Sequence, residues 1–450
     1  MNTRNRIYFT LIGMLLTATA AKAQQATPLS LQECMDYAMK HNYAVKNAAL
    51  DVLIQDAQNK ETVSASLPRI NGKADFSYFN IPQRSFIDAS TFSPSAPPGT
   101  IIPISFTIPY TASVGITTSQ LLFDGSVFVA LQARKTVLEF AKQNGKVTEE
   151  TIRYNVYKSY NSLVIAYRQY DIIKSSLAYA RSLEHDITVT QQNGLAEKID
   201  VERTSVQVNN LATDSIRIGN LLSVSEQMLK YQIGMDINTP IVLTDTIIEK
   251  HRQEALSLVA EDKNYDRVPE YNLMRTALQL NEYNLRRYKL AALPSLSGFW
   301  AFGSNYGSSK FNDILLFDKY WASSTLGLSL NVPIFNGFMR ANQVKEAKLN
   351  IEKSHNNIDN IKQTIDFQSS VSRTTLKNAI LQAQSQQRNL DVANDVLDLA
   401  RRKYKAGVGS NLEVTTAQTE QLRAQTNYFS ALLEITNAEA DLKKSLGMLK

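Results

Sequence analysis

The chain has 450 residues, 48 Lys and Arg against 42 Asp and Glu, and a formal charge of +6, too weak for its length to call for a nucleic-acid partner. Its only cysteine, Cys34, excludes an intramolecular disulfide. His41, His185, His251 and His355 are scattered without metal-ligand spacing, and no phosphate-binding glycine loop or nucleophile motif occurs, so neither a cofactor nor an enzymatic site is expected.

Residues 1–23 read as a secretory signal peptide: Arg4 and Arg6 precede the apolar run Ile7 to Leu16, and Ala21-Lys22-Ala23 offers the cleavage site. The mature chain then starts near Gln24, outside the cytoplasm, and the loss of Arg4, Arg6 and Lys22 leaves a formal charge of +3. Cys34 does not sit at the peptide junction where a lipid anchor would be attached, and it reads as a small apolar helix residue. No later stretch supplies the roughly 18 consecutive apolar residues of a membrane helix.

Seven of the 12 prolines lie between Pro68 and Pro109, none between Pro109 and Pro240, and none after Pro333, so two very long uninterrupted segments are expected. The chain is also duplicated. Phe123-Asp124-Gly125 and Phe335-Asn336-Gly337 lie 212 residues apart; Gly194 and Gly407, like "LKYQIGM" at Leu229 and "LKKSLGM" at Leu442, lie 213 apart. Leu67-Pro68 and Leu293-Pro294 are separated by 226, which gives the first copy about 14 extra residues, placed in the Pro-rich "SPSAPPGTIIPIS" and read as an exposed loop. The division expected is 24–240 for the first repeat, 241–265 for a linker and 266–450 for the second repeat.

In the first copy, Ile70, Ala74, Phe76 and Tyr78 alternate with Asn71, Lys73, Asp75 and Ser77, and Val114 and Ile116 alternate with Ser113, Gly115 and Thr117. In the second, Leu296, Trp300 and Phe302 share one parity, and Leu326, Leu328, Leu330 and Val332 alternate with Thr325, Gly327, Ser329 and Asn331. These four runs read as strands with one apolar and one polar face. A transmembrane barrel wall and a soluble sheet packed on helices both satisfy that alternation. Four strands do not close a barrel, and an open sheet in lipid leaves edge hydrogen bonds unmade, so a membrane reading requires an oligomer.

Long helices are predicted over Ser126 to Gln191 and Phe338 to Tyr404, with Gly145 a local weak point, and Val156, Tyr160, Leu163, Tyr167 and Tyr170 carry the spacing of a coiled-coil seam. Second helices over Lys198 to Tyr231 and Leu412 to Leu446 make each half an antiparallel hairpin, reversed at glycines free to adopt positive φ. Glu149 and Arg153 read as a solvated helix pair.

In order and duplication, "SLQECMDYAMKHNYAV", the two Leu-Pro motifs, "LLFDG", "PIFNG", "NGLAEKIDV", "YKAGVGSNLEV" and the two "LG" endings make the mature chain resemble the TolC-type outer-membrane efflux proteins. The resemblance implies a mainly α fold with a transmembrane β portion: a homotrimer in which four strands per protomer form a 12-stranded β-barrel, continuous with a long α-helical barrel of coiled-coil hairpins. It implies location in the Gram-negative outer membrane and a role as exit duct of a tripartite efflux or type I secretion system. Its partners would be outer-membrane lipid, a periplasmic adaptor and an inner-membrane pump of the RND, ABC or MFS type.

At the turns, the resemblance assigns the periplasmic aperture to Asp200, Tyr404, Glu413 and Thr416. Tyr404 and Gly407 match the family's pattern and Glu413 takes its first acidic position, but Gly409 stands where the family has arginine and Thr416 replaces the second acid. The resemblance implies an Asp200–Tyr404 lock without the family's arginine lock, and so a closed state that is either less firmly held or held by other pairs, such as one involving Arg203 or Lys405. Three copies of Glu413 around an axis would focus a negative potential; the plainer reading is a first-turn carboxylate on a helix dipole. Asn193, Gly194, Leu195, Gly407, Val408 and Gly409 would dock the adaptor, where their plainer role is to turn the chain. The rival to the duct is a periplasmic coiled-coil adaptor or scaffold without a pore, which shares the hairpins but lacks the strands.

Overall fold

A computed structural model describes residues 27–245, 255–315 and 320–449. The predicted signal peptide lies outside them, as do residues 246–254 of the predicted linker, with His251. In chain order the described elements are β1 (Thr27–Leu29), α1 (Leu31–His41), α2 (Tyr43–Ser64), β2 (Arg69–Tyr78), β3 (Ser85–Asp88), β4 (Ile101–Ile104), β5 (Tyr110–Phe123), α3 (Gly125–Gln192), α4 (Lys198–Ile233), β6 (Ile241–Leu243), α5 (Pro269–Leu290), β7 (Ser295–Ser308), α6 (Phe311–Leu315), β8 (Trp321–Asn331), α7 (Met339–Lys405) and α8 (Asn411–Ser445).

The duplication is visible element by element. α2 and α5 are both 22 residues long and start 226 positions apart, and α4 and α8 start 213 apart. The long helices α3 and α7 have 68 and 67 residues, about 100 Å each at 1.5 Å per residue. α3 runs through Gly145 without interruption, because neighbouring turns and the packed seam outweigh one poor helix former. One expectation is corrected. The Pro-rich stretch is not wholly loop, since Ile101–Ile104 pairs antiparallel with Ser85–Asp88. The chain between "SLQE" and the first strand is two helices, divided at Asn42, whose Nδ2 donates to the Gln232 carbonyl at 2.7 Å and whose Oδ1 accepts from the Ala44 N–H at 2.8 Å.

The described residues form two compact units, each drawing on both copies: those within Met1–Leu53, Glu139–Thr276 and His355–Lys450 in one, those within Ile54–Leu138 and Ala277–Ser354 in the other. The first is helical. The predicted seam residues Val156, Tyr160 and Leu163 are buried with Leu229, Ile233, Ala38 and Cys34, and Leu376, Ile380 and Ala383 of α7 pack on Ile435, Ala438 and Leu442 of α8. Cys34 is fully enclosed, and burial pushes its thiol up to about 12, so it is an inert core residue. Short β1 and β6 pair in parallel, and the Asp245 carboxylate accepts from the Leu31 N–H at 2.8 Å and the Tyr160 hydroxyl at 2.9 Å. Glu150 of α3 is buried at 5% exposure, with Oε2 unpartnered and the Glu270 carboxyl of α5 beside it.

The second unit carries the sheet, in the order β2-β5-β7-β8 with every pairing antiparallel. Register sets one face across all four strands: Ile70 opposes Thr118, Thr118 opposes Trp300, and Trp300 opposes Leu326; one level along, Ile116 opposes Phe302. The other face carries Asp75, Ser113, Asn305 and Trp321 in one row, with Lys73 Nζ 3.0 Å from Asp75. Among the described residues nothing covers the apolar face: Ile70, Val114, Trp300 and Phe302 are exposed, and Leu326, Leu328 and Leu330 are 82, 71 and 64% exposed. A soluble sheet packed on helices would bury those side chains, and among the described residues they are not buried. Among the described residues no helix is long and apolar enough to cross a membrane.

Candidate functional site at the helix-hairpin turns

The two turns are built alike. Gly194 and Gly407 sit at φ +74° and +75°, a region that L side chains avoid, which is why glycine recurs there. The Leu195 N–H donates to Thr190 O at 3.0 Å and the Gly194 N–H to Gln191 O at 2.9 Å; at the second turn Val408 donates to Lys403 O at 3.1 Å and Gly407 to Tyr404 O at 3.0 Å. These closures satisfy the last carbonyls of α3 and α7. Asn193, Gly194, Leu195, Gly407 and Val408 are exposed, Leu195 and Val408 with unusually open apolar side chains.

The departure at Gly409 has a steric cause. A Cβ there would lie 2.8 Å from the Lys403 Cβ and 3.0 Å from the Tyr404 N, so an arginine does not fit without reshaping the turn. The chain then enters α8 through Ser410, whose hydroxyl accepts from the Glu413 N–H at 3.2 Å. Glu413 is half exposed, with its carboxylate 3.9 Å from Lys403 Nζ. Within one chain that is a first-turn acid on a capped helix with a solvated partner, worth about 0–1 kcal/mol.

Beneath the turns, Leu183 and Ile187 of α3, Leu397 and Ala400 of α7, and Val414 and Ala417 of α8 form one buried cluster, flanked by Tyr179, Ala196, Val201 and Tyr404. Burial, then the charges of Asp200 and Asp186, raise the Tyr404 hydroxyl above its usual range, so it stays neutral. Asp200 therefore lies near Tyr404 through space, but among the described residues no hydrogen bond joins them within the chain. The Arg401 guanidinium stacks 3.8 Å over the Tyr179 ring. Thr416 and Arg203 line an open groove of about 840 Å³ bordered by α3, α4 and α8. Beside the turns the ion pairs within the chain are Lys403 with Glu413 at 3.9 Å and Lys198 with Glu202 at 3.3 Å. Among the described residues Glu149 and Arg153, four apart on α3, are not joined by an ion pair.

Two residues that sequence reading passed over hold the hairpins together. Asn411, the first residue of α8, donates from Nδ2 to Asp200 O at 3.2 Å and to Thr204 Oγ1 at 3.1 Å, and Thr204 Oγ1 donates to Asp200 O at 2.8 Å. Asn411 and Thr204 are 4 and 0% exposed. The only sign of them in the sequence is a break in the repeat: 213 positions earlier, Asn411 is matched by Lys198.

Residues 274–448 match the family described as "Outer membrane efflux protein". The chain is 20% identical to outer membrane protein TolC of Salmonella enteritidis over 98% of its own length and 85% of that relative. In fold it is similar to the outer membrane protein VceC of Vibrio cholerae, with a TM-score of 0.68 at 13% identity over 93% of this chain and 96% of that one. It is equally similar to the MtrE outer membrane channel of Neisseria gonorrhoeae, with a TM-score of 0.68 at 17% identity over 93% and 89%.

Proposed function

From the premise that the chain is a TolC-type outer-membrane efflux protein of a Gram-negative outer membrane, we propose that it is the exit duct of a tripartite efflux or secretion system. On this reading it conducts passively what an inner-membrane pump delivers through a periplasmic adaptor, and it carries out no enzymatic chemistry. Relatives named for antibiotic efflux and for alkaline protease secretion support a transport role of this kind.

The observation that carries the reading is the four-stranded sheet. Among the described residues it has a polar face, an uncovered apolar face and two unpaired edges, at β2 and β8. In lipid each unmade edge hydrogen bond costs several kcal/mol, and pairing β2 of one copy with β8 of the next removes both edges. Three copies give 12 strands, enough to enclose water. The helices present matching apolar stripes: Leu221, Val224 and Met228 on α4 and Val392, Val396 and Leu399 on α7 are exposed at coiled-coil spacing and invite packing between copies. On the same reading Asp200, Tyr404, Glu413 and Thr416 border the periplasmic aperture, and Asn193, Gly194, Leu195, Gly407, Val408 and Gly409 receive the adaptor. The repeats 24–240 and 266–450, joined by 241–265, would each supply two strands and one hairpin.

Membrane fractionation followed by bilayer recording tests the proposal. A duct gives heat-modifiable trimers in the outer membrane and ion-conducting pores, whereas a soluble, non-conducting monomer returns the adaptor or scaffold reading.

A further inference from the structure

We propose that the polar face of the four-stranded sheet carries a saccharide-binding site, with the Trp321 indole as its stacking platform and Asp75, Ser113 and Asn305 as its hydrogen-bonding groups. The sheet alone defines the site; its place inside the pore rests on the duct reading.

Trp321 is the side chain that a barrel wall leaves unexplained. Aromatic rings at the ends of membrane strands belong on the lipid face, where they meet the headgroups. Phe76, Tyr78 and Tyr110 obey this: they share the parity of Ile70 and Thr118 and stack on one another. Trp321 has the opposite parity. It opposes Asn305, which opposes Ser113, which opposes Asp75, so the four side chains leave the sheet on its polar face. There the indole is 79% exposed, a large apolar ring turned to water with no core to fill.

The ring borders a shaped pocket. A cavity of about 460 Å³ is lined by Trp321, Asn305, Ser113, Asp75, Ser77 and Thr111, with Ile108 as an apolar wall. Gly307 gives Ile108 its seat, since a Cβ there would stand 2.9 Å from Ile108 Cδ1. From Asp75 to Trp321 the row crosses three strand spacings, about 14 Å, which suits a short oligosaccharide.

The chemistry selects a neutral, hydroxyl-rich ligand. The Trp321 ring offers a flat apolar surface to the C–H face of a sugar ring, and the carboxylate, amide and hydroxyl groups of the same row offer acceptors and donors to its hydroxyls. Charge argues against ionic ligands. Lys73 Nζ lies 3.0 Å from Asp75 Oδ2, and the Ser113 hydroxyl donates to that same oxygen at 3.4 Å. The carboxylate is thereby neutralised towards a cation, still repels an anion, and keeps Oδ1 to accept from a hydroxyl.

The test titrates the purified protein with neutral hexasaccharides of glucose, mannose and galactose, reading intrinsic fluorescence and, in planar bilayers, block of the current. At least one sugar should change the fluorescence saturably and interrupt the current, while tetraethylammonium leaves the fluorescence unchanged. Trp321→Ala should weaken block about tenfold through loss of the aromatic platform, and Trp321→Phe should retain most of it. Asp75→Asn, which keeps an acceptor, should stay within about threefold of the wild type, and Asn305→Ala should weaken block about three- to tenfold. Trp300→Phe, on the opposite face, should leave block unchanged and make Trp321 the sole reporter, since the chain has two tryptophans. Silence towards all the sugars overturns the site, as does block that survives Trp321→Ala, or a tetraethylammonium response that Asp75→Asn abolishes. If Trp321→Ala fails to assemble, Asn305→Ala decides: wild-type block there overturns the site. Block that is faster from the side of the β3–β4 pair marks glycans arriving from outside, and block that is faster from the side where β5 enters α3 marks glycans leaving; either upholds the site. Saturable fluorescence without block in a conducting channel overturns the lumenal placement, and absence of pores from the wild-type protein removes the duct reading while the fluorescence still decides the site.

Discussion

Replacing Glu150 by glutamine should change how the stability of this protein depends on pH. Burial raises the Glu150 carboxyl to about 8, and the neighbouring Glu270 carboxyl adds to the rise through its charge and a hydrogen bond, while the Lys444 ammonium opposes it. In the unfolded chain the same group titrates near 4.5. The folded state therefore binds a proton more tightly, and the stability this confers is complete below about pH 4.5 and lost as pH rises towards 8. Each unit of that interval is worth about 1.4 kcal/mol, so the full loss is on the order of 3–5 kcal/mol per chain. Glu150→Gln keeps the shape and a donor towards Glu270 while removing the titration. Thermal melts followed by circular dichroism from pH 5 to 9 should show the wild type falling with pH relative to the variant, the two curves diverging most above pH 8. Parallel curves would refute the reasoning, because they would mean that Glu150 is ionised at neutral pH in the folded protein.

Other perturbations follow from the turns and the sheet. Gly407→Phe forces an L residue to φ +75° on an exposed turn, at about 1–2 kcal/mol; it should abolish pump-dependent export in cells while heat-modifiable trimers persist, and loss of the trimers would make the glycine purely structural. Glu413→Gln in a reconstituted channel should lower cation selectivity and relieve block by divalent cations; unchanged selectivity would leave Glu413 as an ordinary first-turn acid paired with Lys403. Leu328→Lys on the uncovered apolar face should cost about 2–4 kcal/mol of membrane-inserted stability and reduce outer-membrane yield, while Ser323→Lys on the polar face should be tolerated; equal effects would deny that the two faces meet lipid and water.

Much of this fold is written locally. Long proline-free segments, glycine turns and period-two runs are set by neighbours in sequence, and duplication doubles each of them, so α3, α4, α7, α8 and the central strands fall close to where alternation and heptad spacing put them. β5, Tyr110–Phe123, exceeds the alternating residues Ser113 to Thr117, because pairing to β7 carries the ladder past the residues whose pattern announces it. The β3–β4 pair hid behind Pro103 of β4, which suits an edge with no second neighbour. The β1–β6 pair joins three-residue strands more than 200 positions apart, too short to leave a pattern. At the turns the glycines and the first-turn acids were legible because capping is local, whereas the contacts of Asn411 with Asp200 and Thr204 span 211 and 207 residues and no local rule points to them. Steric room decided the rest: the missing arginine at 409 was visible in sequence, but its cause, the approach of Lys403, was not.

The claim on which the account depends is that β2 of one chain pairs with β8 of the next. Cysteine crosslinking in intact outer membranes tests it most directly: Thr325→Cys on β8 combined with single cysteines placed in turn along Arg69–Tyr78 of β2, with the native Cys34 buried and silent. Shared closure predicts covalent dimers and trimers for the adjoining registers and none for positions out of register. Crosslinks confined to single chains, or none at any position while the protein remains folded in the membrane, would contradict it.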